Sequence, residues 1–319
     1  IVASIYGFYV REDGSRLTQT VYIEVARKNG KTALAAGIGL NALINDDEAG
    51  AEVYFAANSK DQVKISAWPL CSNFAKKFDP KNRYLQVFRD TITFEKTSSW
   101  LKVLAADSTK LDGPNPSTFV LDEYHAAKNN SLKAVLESGQ GTRDNPLEVI
   151  ITTAGFDKLG PCYELRTTGT EILKGLKEDD SFFVAIYSLD EQDDWKDEKV
   201  INAGKQIQEL SKYFQKEIRK AINTPSDEVN VKTKTLNMWC DAETVWIPEH
   251  YILNSSEKIR LDDFEGMDCY MGIDLSSTSD LTCAAFMFPT EDKYYFKAKY
   301  YLPEMSLQER RFKELYGEW

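Results

Sequence analysis

The chain has 319 residues, 42% hydrophobic and 28% charged, with a formal net charge of −11. That length allows two domains, or one large domain with an appendage, around a real core. No run of about 18 apolar residues is present to cross a membrane, no opening stretch has a signal-peptide pattern, and the overall acidity excludes strong nonspecific nucleic-acid binding by the bulk field.

The charge is uneven. Residues 1–178 carry 22 basic and 22 acidic side chains, residues 179–265 carry 11 and 19, and residues 266–319 carry 6 and 9. DNA contact would therefore need a local patch or repeated subunits. The five cysteines, Cys71, Cys162, Cys240, Cys269 and Cys283, stand singly, as reduced thiols do. With only His125 and His250 present, a multi-histidine metal site and a Ser-His-Asp hydrolase are both disfavoured. A metal here should be a hard cation on carboxylates and hydroxyls, such as magnesium. The chain opens on Ile1, not Met, and is expected to be a piece of a longer protein.

Strand and helix patterns alternate through the first half, as in an α/β sheet. Val21–Ala26 reads as a buried strand, Thr32–Ile44 as a helix apolar nearly all round, and Ala51–Ala57 as a second strand. Ser59 is placed to cap a helix running to about Phe78. Tyr84–Phe88 and Thr91–Glu95 flank Arg89-Asp90 as a hairpin, and Trp100–Ala106, Thr118–Leu121 and Glu148–Thr152 follow as strands. Phe182–Tyr187 is positioned to close the sheet. The acidic stretch Asp190–Glu198 marks a boundary, and Lys199–Ala221 is a polar helical pattern suited to a small subdomain. Tyr270–Leu275, Leu281–Phe288 and Tyr294–Tyr301 form a three-stranded meander, an incomplete domain by itself.

Between the first strand and the first long helix lies Ala26-Arg27-Lys28-Asn29-Gly30-Lys31-Thr32. Strand, glycine-bearing loop and helix is the context of a phosphate loop. Gly30-Lys31-Thr32 is intact, but Val25 replaces the first glycine of the signature. Lys31 would reach phosphate oxygens, Thr32 would bind magnesium, and the helix N-terminus would favour the anion. Arg27, Lys28 and Asn29 complete the nucleotide-binding loop. The competing reading is a basic loop before a core helix.

Phe119-Val120-Leu121-Asp122-Glu123 decides between them. A hydrophobic strand ending in two acids offers Asp122 for the metal and Glu123 as general base for water. Thr152 and Thr153 follow another strand, at the edge that faces the ligand crevice in a parallel sheet, and are candidates to sense the γ-phosphate.

These segments resemble the large terminase subunit of tailed bacteriophages. The resemblance covers essentially the whole chain: Val21–Thr32 (VYIEVARKNGKT), Leu111–His125 (LDGPNPSTFVLDEYH), Ile151–Gly155 (ITTAG), Leu236–Trp239 (LNMW) and Gly272–Asp280 (GIDLSSTSD), in that order. It implies an α/β fold with a P-loop (RecA-like) ATPase sheet over residues 1–178, a helical linker or lid over 179–265, and the start of a ribonuclease-H-like nuclease over 266–319. It implies an ATP-hydrolysing motor that moves viral double-stranded DNA into a procapsid and an endonuclease that cuts the concatemer. Arg27, Lys31, Asp122 and Glu123 would be the catalytic set. Thr152-Thr153-Ala154 would be the coupling motif, and Asp274 would be a first nuclease metal ligand. ATP, magnesium and a nuclease divalent metal are the implied cofactors. A portal protein, a small terminase subunit and sister copies in a ring are the implied partners, in the host cytoplasm and without a membrane; alone, the chain is expected to be monomeric.

The family's adenine-contacting segment has no counterpart in Ile1–Thr20, and the remaining nuclease acids are expected beyond Trp319, so this stretch is expected to lack a competent nuclease site. Arg83, Arg89 and Arg143 are the candidates for an arginine finger. Three rivals stand beside this reading. Asp122-Glu123-Tyr124-His125 resembles a DExH helicase box, but no second motor domain follows. Gly272–Thr278 resembles the phosphate hairpin of actin-like ATPases. A degraded ATPase acting as an assembly scaffold would tolerate Val25. Trp68, Trp100, Trp239 and Trp246 read as core or interface aromatics, and His125 as a hydrogen-bonding residue of the loop after its strand.

Overall fold

The computed structural model describes residues 1–46, 48–57, 64–105, 113–190, 192–197, 212–240, 254–275 and 281–302. The chain divides into two compact units, Ile1–Trp246 and Ile247–Trp319. Ser59, Trp246 and Asp280, and the part of the Lys199–Ala221 pattern before residue 212, lie outside the described residues.

The first unit is built on an eight-stranded sheet. Its strands are β1 (Thr20–Val25), β2 (Glu52–Ala57), β3 (Leu85–Val87), β4 (Thr91–Phe94), β5 (Ser99–Ala105), β6 (Thr118–Asp122), β7 (Leu147–Thr152) and β8 (Phe182–Tyr187), in the order β3-β4-β5-β2-β6-β7-β1-β8. The pairs from β5 through to β8 are parallel, and the β3–β4 hairpin adds antiparallel strands at the β5 edge. The eight strands expected here are all present, and the sheet takes its last from beyond residue 178.

Both faces of the sheet are covered, which is why its central strands are near-continuous apolar runs. Side chains alternate across it. Val21, Ile23, Val53, Phe55, Val120, Val149 and Ile151 face one core with helices α2 (Lys31–Asn45) and α3 (Ala67–Phe78). Tyr22, Tyr54, Phe119, Leu121 and Ile150 face the other, with α4 (Ser131–Gly139) and α5 (Pro161–Leu173). The short α1 (Val2–Tyr6) places Ile5 in the first core. The chain periodicity did not single out α4 or α5. Their sequences, SLKAVLESG and PCYELRTTGTEIL, each cover one face with few apolar residues.

A third, smaller core joins Leu189 and Trp195 to Ile218, Ala221, Val231 and Leu236. It lies between the loop after β8 and the pair α6 (Lys212–Asn223) and α7 (Pro225–Lys234). Pro225 opens α7 in its first turn, where the missing N–H has no intrahelical acceptor to lose.

The second unit contains the meander β9 (Tyr270–Asp274), β10 (Thr282–Pro289) and β11 (Tyr294–Tyr301), antiparallel throughout with β10 central. Phe264 stacks on Phe288 there at 4.5 Å between ring centroids. Tyr270, Met271, Ile273, Phe296 and Tyr300 remain exposed.

Candidate functional site

A parallel sheet sends the carboxyl ends of its strands to one edge, and here that edge carries the expected chemistry. β7 lies between β1 and β6, with Glu24 opposite Thr152 and Ile151 opposite Asp122. Thr152 therefore ends its strand between the phosphate loop and the acidic pair.

The loop leaves β1 at Val25 and enters α2 through Gly30. Gly30 has φ 76 and Lys28 φ 68, both left-handed. Glycine adopts that conformation without steric cost, and as the helix cap it places no side chain before the first-turn amides. Asn29 braces the turn, its amide nitrogen donating to the carbonyls of Ala26 and Arg27 at 3.1 and 3.2 Å. The Arg27 N–H donates to the Lys234 carbonyl at 2.9 Å, tying the loop to the end of α7.

Lys31 is buried, and its ammonium donates to the Val25 carbonyl at 3.1 Å. Burial lowers its proton affinity, while Glu123 and Asp122 pull the other way. Val25 thus replaces the first glycine of the signature without displacing the lysine, because the lysine uses the backbone oxygen that any residue supplies.

Asp122 is nearly fully buried at the end of β6. Burial first, and the Glu123 carboxylate second, push its pKa up to about 6. Its Oδ1 accepts the Glu123 N–H at 3.0 Å. Glu123 sits at φ 54, and its N–H also donates to the Ile151 carbonyl at 2.9 Å, so the backbone turns out of the strand while tethered to β7. Burial opposes ionisation of Glu123, but His125, Lys31 and Arg27 together hold its carboxyl below the usual value. The environment raises one acid and lowers the other, so Glu123 gives up its proton at lower pH than Asp122.

Arg27, Lys28, Gly30, Lys31, Thr32 and Glu123 line one cleft of about 790 Å³. Its opposite wall comes from α6 and α7, through Tyr213, Phe214, Lys220, Asn230, Lys234 and Thr235. Among the described residues, Thr152 and Thr153 do not line it. Both are fully buried, and the Thr152 hydroxyl donates to the Thr153 carbonyl at 2.9 Å. They stand behind Glu123, next to His125.

Behind the edge lies a polar network that the chain pattern did not reveal. Glu24 is fully buried on β1. It accepts from Tyr22 at 2.6 Å, Trp239 at 3.1 Å, Arg166 at 3.3 Å and Asn237 at 3.4 Å. Asn237 in turn accepts the Ala154 N–H and donates to the Tyr187 carbonyl. A glutamate inside a strand reads from sequence as one polar residue in an apolar run; its partners come from positions up to 215 residues away.

A hard divalent cation bound alongside phosphates needs only one or two protein oxygens, the rest coming from phosphate and water. Thr32 at the head of α2, which lines the cleft, and Asp122 at the end of β6 carry oxygens of the type such an ion takes. No group of three or more His, Cys, Asp or Glu that could hold a metal occurs among the described residues. Asp274 ends β9 with its side chain exposed.

Arg143, one of the finger candidates, lies where the parallel strands begin. It pairs with Glu48 at 2.9 Å and donates to the carbonyls of Asn115 and Gly50, before β2, β6 and β7 begin, at the opposite edge from the cleft. Trp239 and Trp100 are packing residues as expected; Trp100 meets Tyr54 edge-on at 5.0 Å.

Residues 1–171 match the family model for the ATPase domain of the terminase large subunit, and residues 176–317 match the model for its endonuclease domain. The chain is 28% identical to protein YmfN of Escherichia coli K12 over 79% of its own length and 58% of that protein's. It is 24% identical to the terminase large subunit of Lactococcus phage p2, over 88% and 52%. It thus spans little more than half of these curated relatives. The crystal structure of the HK97 bacteriophage large terminase superposes with a TM-score of 0.62 at 21% identity, over 99% of this chain and 64% of that one. The Thermus phage P74-26 large terminase ATPase domain gives 0.51 at 14% identity, over 74% and 96%.

Proposed function

The chain belongs to the terminase large subunit family, and from that premise we propose that it is the ATP-hydrolysing part of a motor that drives double-stranded DNA into a viral procapsid. The observation that carries this is that Lys31 and Glu123 face one cleft, on a sheet edge that also brings Asp122 and Thr152 together.

Residue roles follow from the chemistry. Lys31 and the first-turn amides of α2 bind the phosphates, and Lys31 leaves the Val25 carbonyl for a phosphate oxygen. Arg27, Lys28, Asn29 and Gly30 shape and charge the loop. Thr32 and Asp122 would hold magnesium, which when bound would neutralise charge developing on the phosphate oxygens. Glu123, kept ionised by Lys31, Arg27 and His125, orients water and takes its proton. Thr152 and Thr153, buried behind Glu123, report the state of the site to the rest of the sheet.

The division into an ATPase domain (1–178), a lid (179–265) and a nuclease portion (266–319) belongs to this proposal, as do a nuclease metal at Asp274 and the endonuclease activity of the whole protein. So do the portal protein, a small terminase subunit and a ring of copies as partners, and the host cytoplasm as location.

The test is ATP turnover by wild type, Lys31→Ala and Glu123→Gln, with and without double-stranded DNA. Loss of nucleotide binding is expected in Lys31→Ala. Retained binding with turnover reduced about 10²–10⁴-fold is expected in Glu123→Gln. Wild-type turnover in Glu123→Gln would refute the assignment of the base.

A further inference from the structure

His125 lies two residues beyond the proposed base, and one ring nitrogen meets both the base and the buried threonines. Nδ1 is 3.3 Å from Glu123 Oε2, 3.1 Å from Thr152 Oγ1 and 3.4 Å from Thr153 Oγ1. The His125 backbone N–H also donates to Thr152 Oγ1, at 2.9 Å.

Proton bookkeeping fixes the direction of these bonds. A threonine hydroxyl has one proton and two acceptor sites. The Thr152 proton goes to the Thr153 carbonyl. Thr152 Oγ1 must then accept twice, from the His125 N–H and from the ring. Nδ1 is then the donor to Thr152 Oγ1, and Glu123 Oε2 lies 3.3 Å from the same nitrogen. Packing holds the ring in place. A Cβ at position 155 would lie 3.0 Å from His125 Cβ and 3.3 Å from its Cδ2, so Gly155 leaves room for the imidazole directly beneath the end of β7.

We infer that His125 is a positioning residue that sets the direction of the Glu123 carboxylate and links it, through Nδ1–H, to Thr152. The Glu123 backbone is turned into the left-handed region by two bonds from its N–H, and the His125 ring stands against its carboxylate. Any shift of Thr152, at the end of the strand between the two halves of the site, moves the acceptor that holds the His125 ring against the base. Movement of β7 thus reaches Glu123 without either threonine touching nucleotide. This inference rests on Glu123 being the base.

The test compares His125→Ala, His125→Asn, His125→Gln and Glu123→Gln in the full chain, by ATP turnover across nucleotide concentration and by thermal melting. An Asn amide nitrogen is one bond beyond Cγ, where Nδ1 stands; a Gln nitrogen is one bond further out. His125→Ala is expected to lower kcat about 10–100-fold, the scale of a misplaced reacting group. KM for ATP should stay within roughly threefold, the split expected when only the transition state is affected. His125→Asn should recover most of that loss and His125→Gln should not. Unchanged kcat in His125→Ala would overturn the inference, as would loss in both Ala and Asn variants with raised KM or a collapsed melting transition. Wild-type turnover in Glu123→Gln would instead remove the base assignment beneath it, so the two failures are distinguishable.

Discussion

Asn237 Oδ1 accepts the backbone N–H of Ala154 at 2.7 Å, joining the segment after α7 to the residue that follows the two buried threonines. Asn237 is fully buried at φ 57, and its Nδ2 donates to the Tyr187 carbonyl at 2.8 Å. One side chain thus satisfies backbone groups at the ends of two strands, β7 and β8.

Replacing Asn237 by Ala leaves the buried Ala154 N–H and the part-buried Tyr187 carbonyl without this partner. At about 1–3 kcal/mol for the buried N–H and less for the part-buried carbonyl, a loss on the order of 2–4 kcal/mol is expected, read as a lower urea midpoint for the first unit. Asn237→Asp keeps the acceptor but sets a second carboxylate about 3.4 Å from Glu24, and should be no better. A midpoint within error of wild type for Asn237→Ala would refute the role assigned to this network.

Asp122 predicts a stability that falls as pH rises. Its folded-state pKa of about 6 lies above the ordinary 3.8, so the folded chain holds the proton more tightly than the unfolded one. The ionised form costs nothing below about pH 4, and the full penalty is present above about pH 6. Asp122→Asn should therefore be more stable than wild type at pH 7.5 without nucleotide or metal, by on the order of 2–3 kcal/mol, with the gain vanishing near pH 4. Denaturation midpoints at the two pH values decide it; an equal difference at both would refute the cause.

Gly39 lies on α2 where it crosses β2, and an added Cβ would stand 2.5 Å from Phe55 Cε2 in the core. Gly39→Ala should destabilise by about 1–3 kcal/mol through overpacking, despite the better helix propensity of alanine. A gain in melting temperature would mean that Phe55 moves aside freely.

Cysteine reactivity should separate by burial. Burial pushes the thiols of Cys71 and Cys162 up to about 12, whereas Cys269 is exposed. Iodoacetamide at pH 8 should label Cys269 in the native protein, and Cys71 and Cys162 only after denaturation, as mass spectrometry of the peptides would show. Rapid native labelling of Cys71 would show that the core under α3 opens.

Much of this protein was legible in the chain because the signals are local. Apolar runs bounded by turn residues marked the central strands of the sheet, since a strand buried on both faces needs five or six consecutive apolar residues. Gly30-Lys31-Thr32 and Asp122-Glu123 were identifiable because each joins a strand end to side chains whose chemistry needs no distant partner. The order of the motifs pointed to the family. The helices α4 and α5 escaped notice because each hides only a narrow face.

The tertiary structure alone decided how those motifs act together. Strand order is not written in sequence order: β7 inserts between β1 and β6, and this sets Thr152 beside the acids. The roles of Glu24, His125, Asn237 and Trp239 depend on partners brought together by that topology, and Arg143 proved committed to the far edge for the same reason. Sequence determines which groups can bind phosphate or take a proton, because that is a property of the side chain. Folding determines which carboxylate ionises first, because burial and the field of neighbouring charges exist only once distant segments meet.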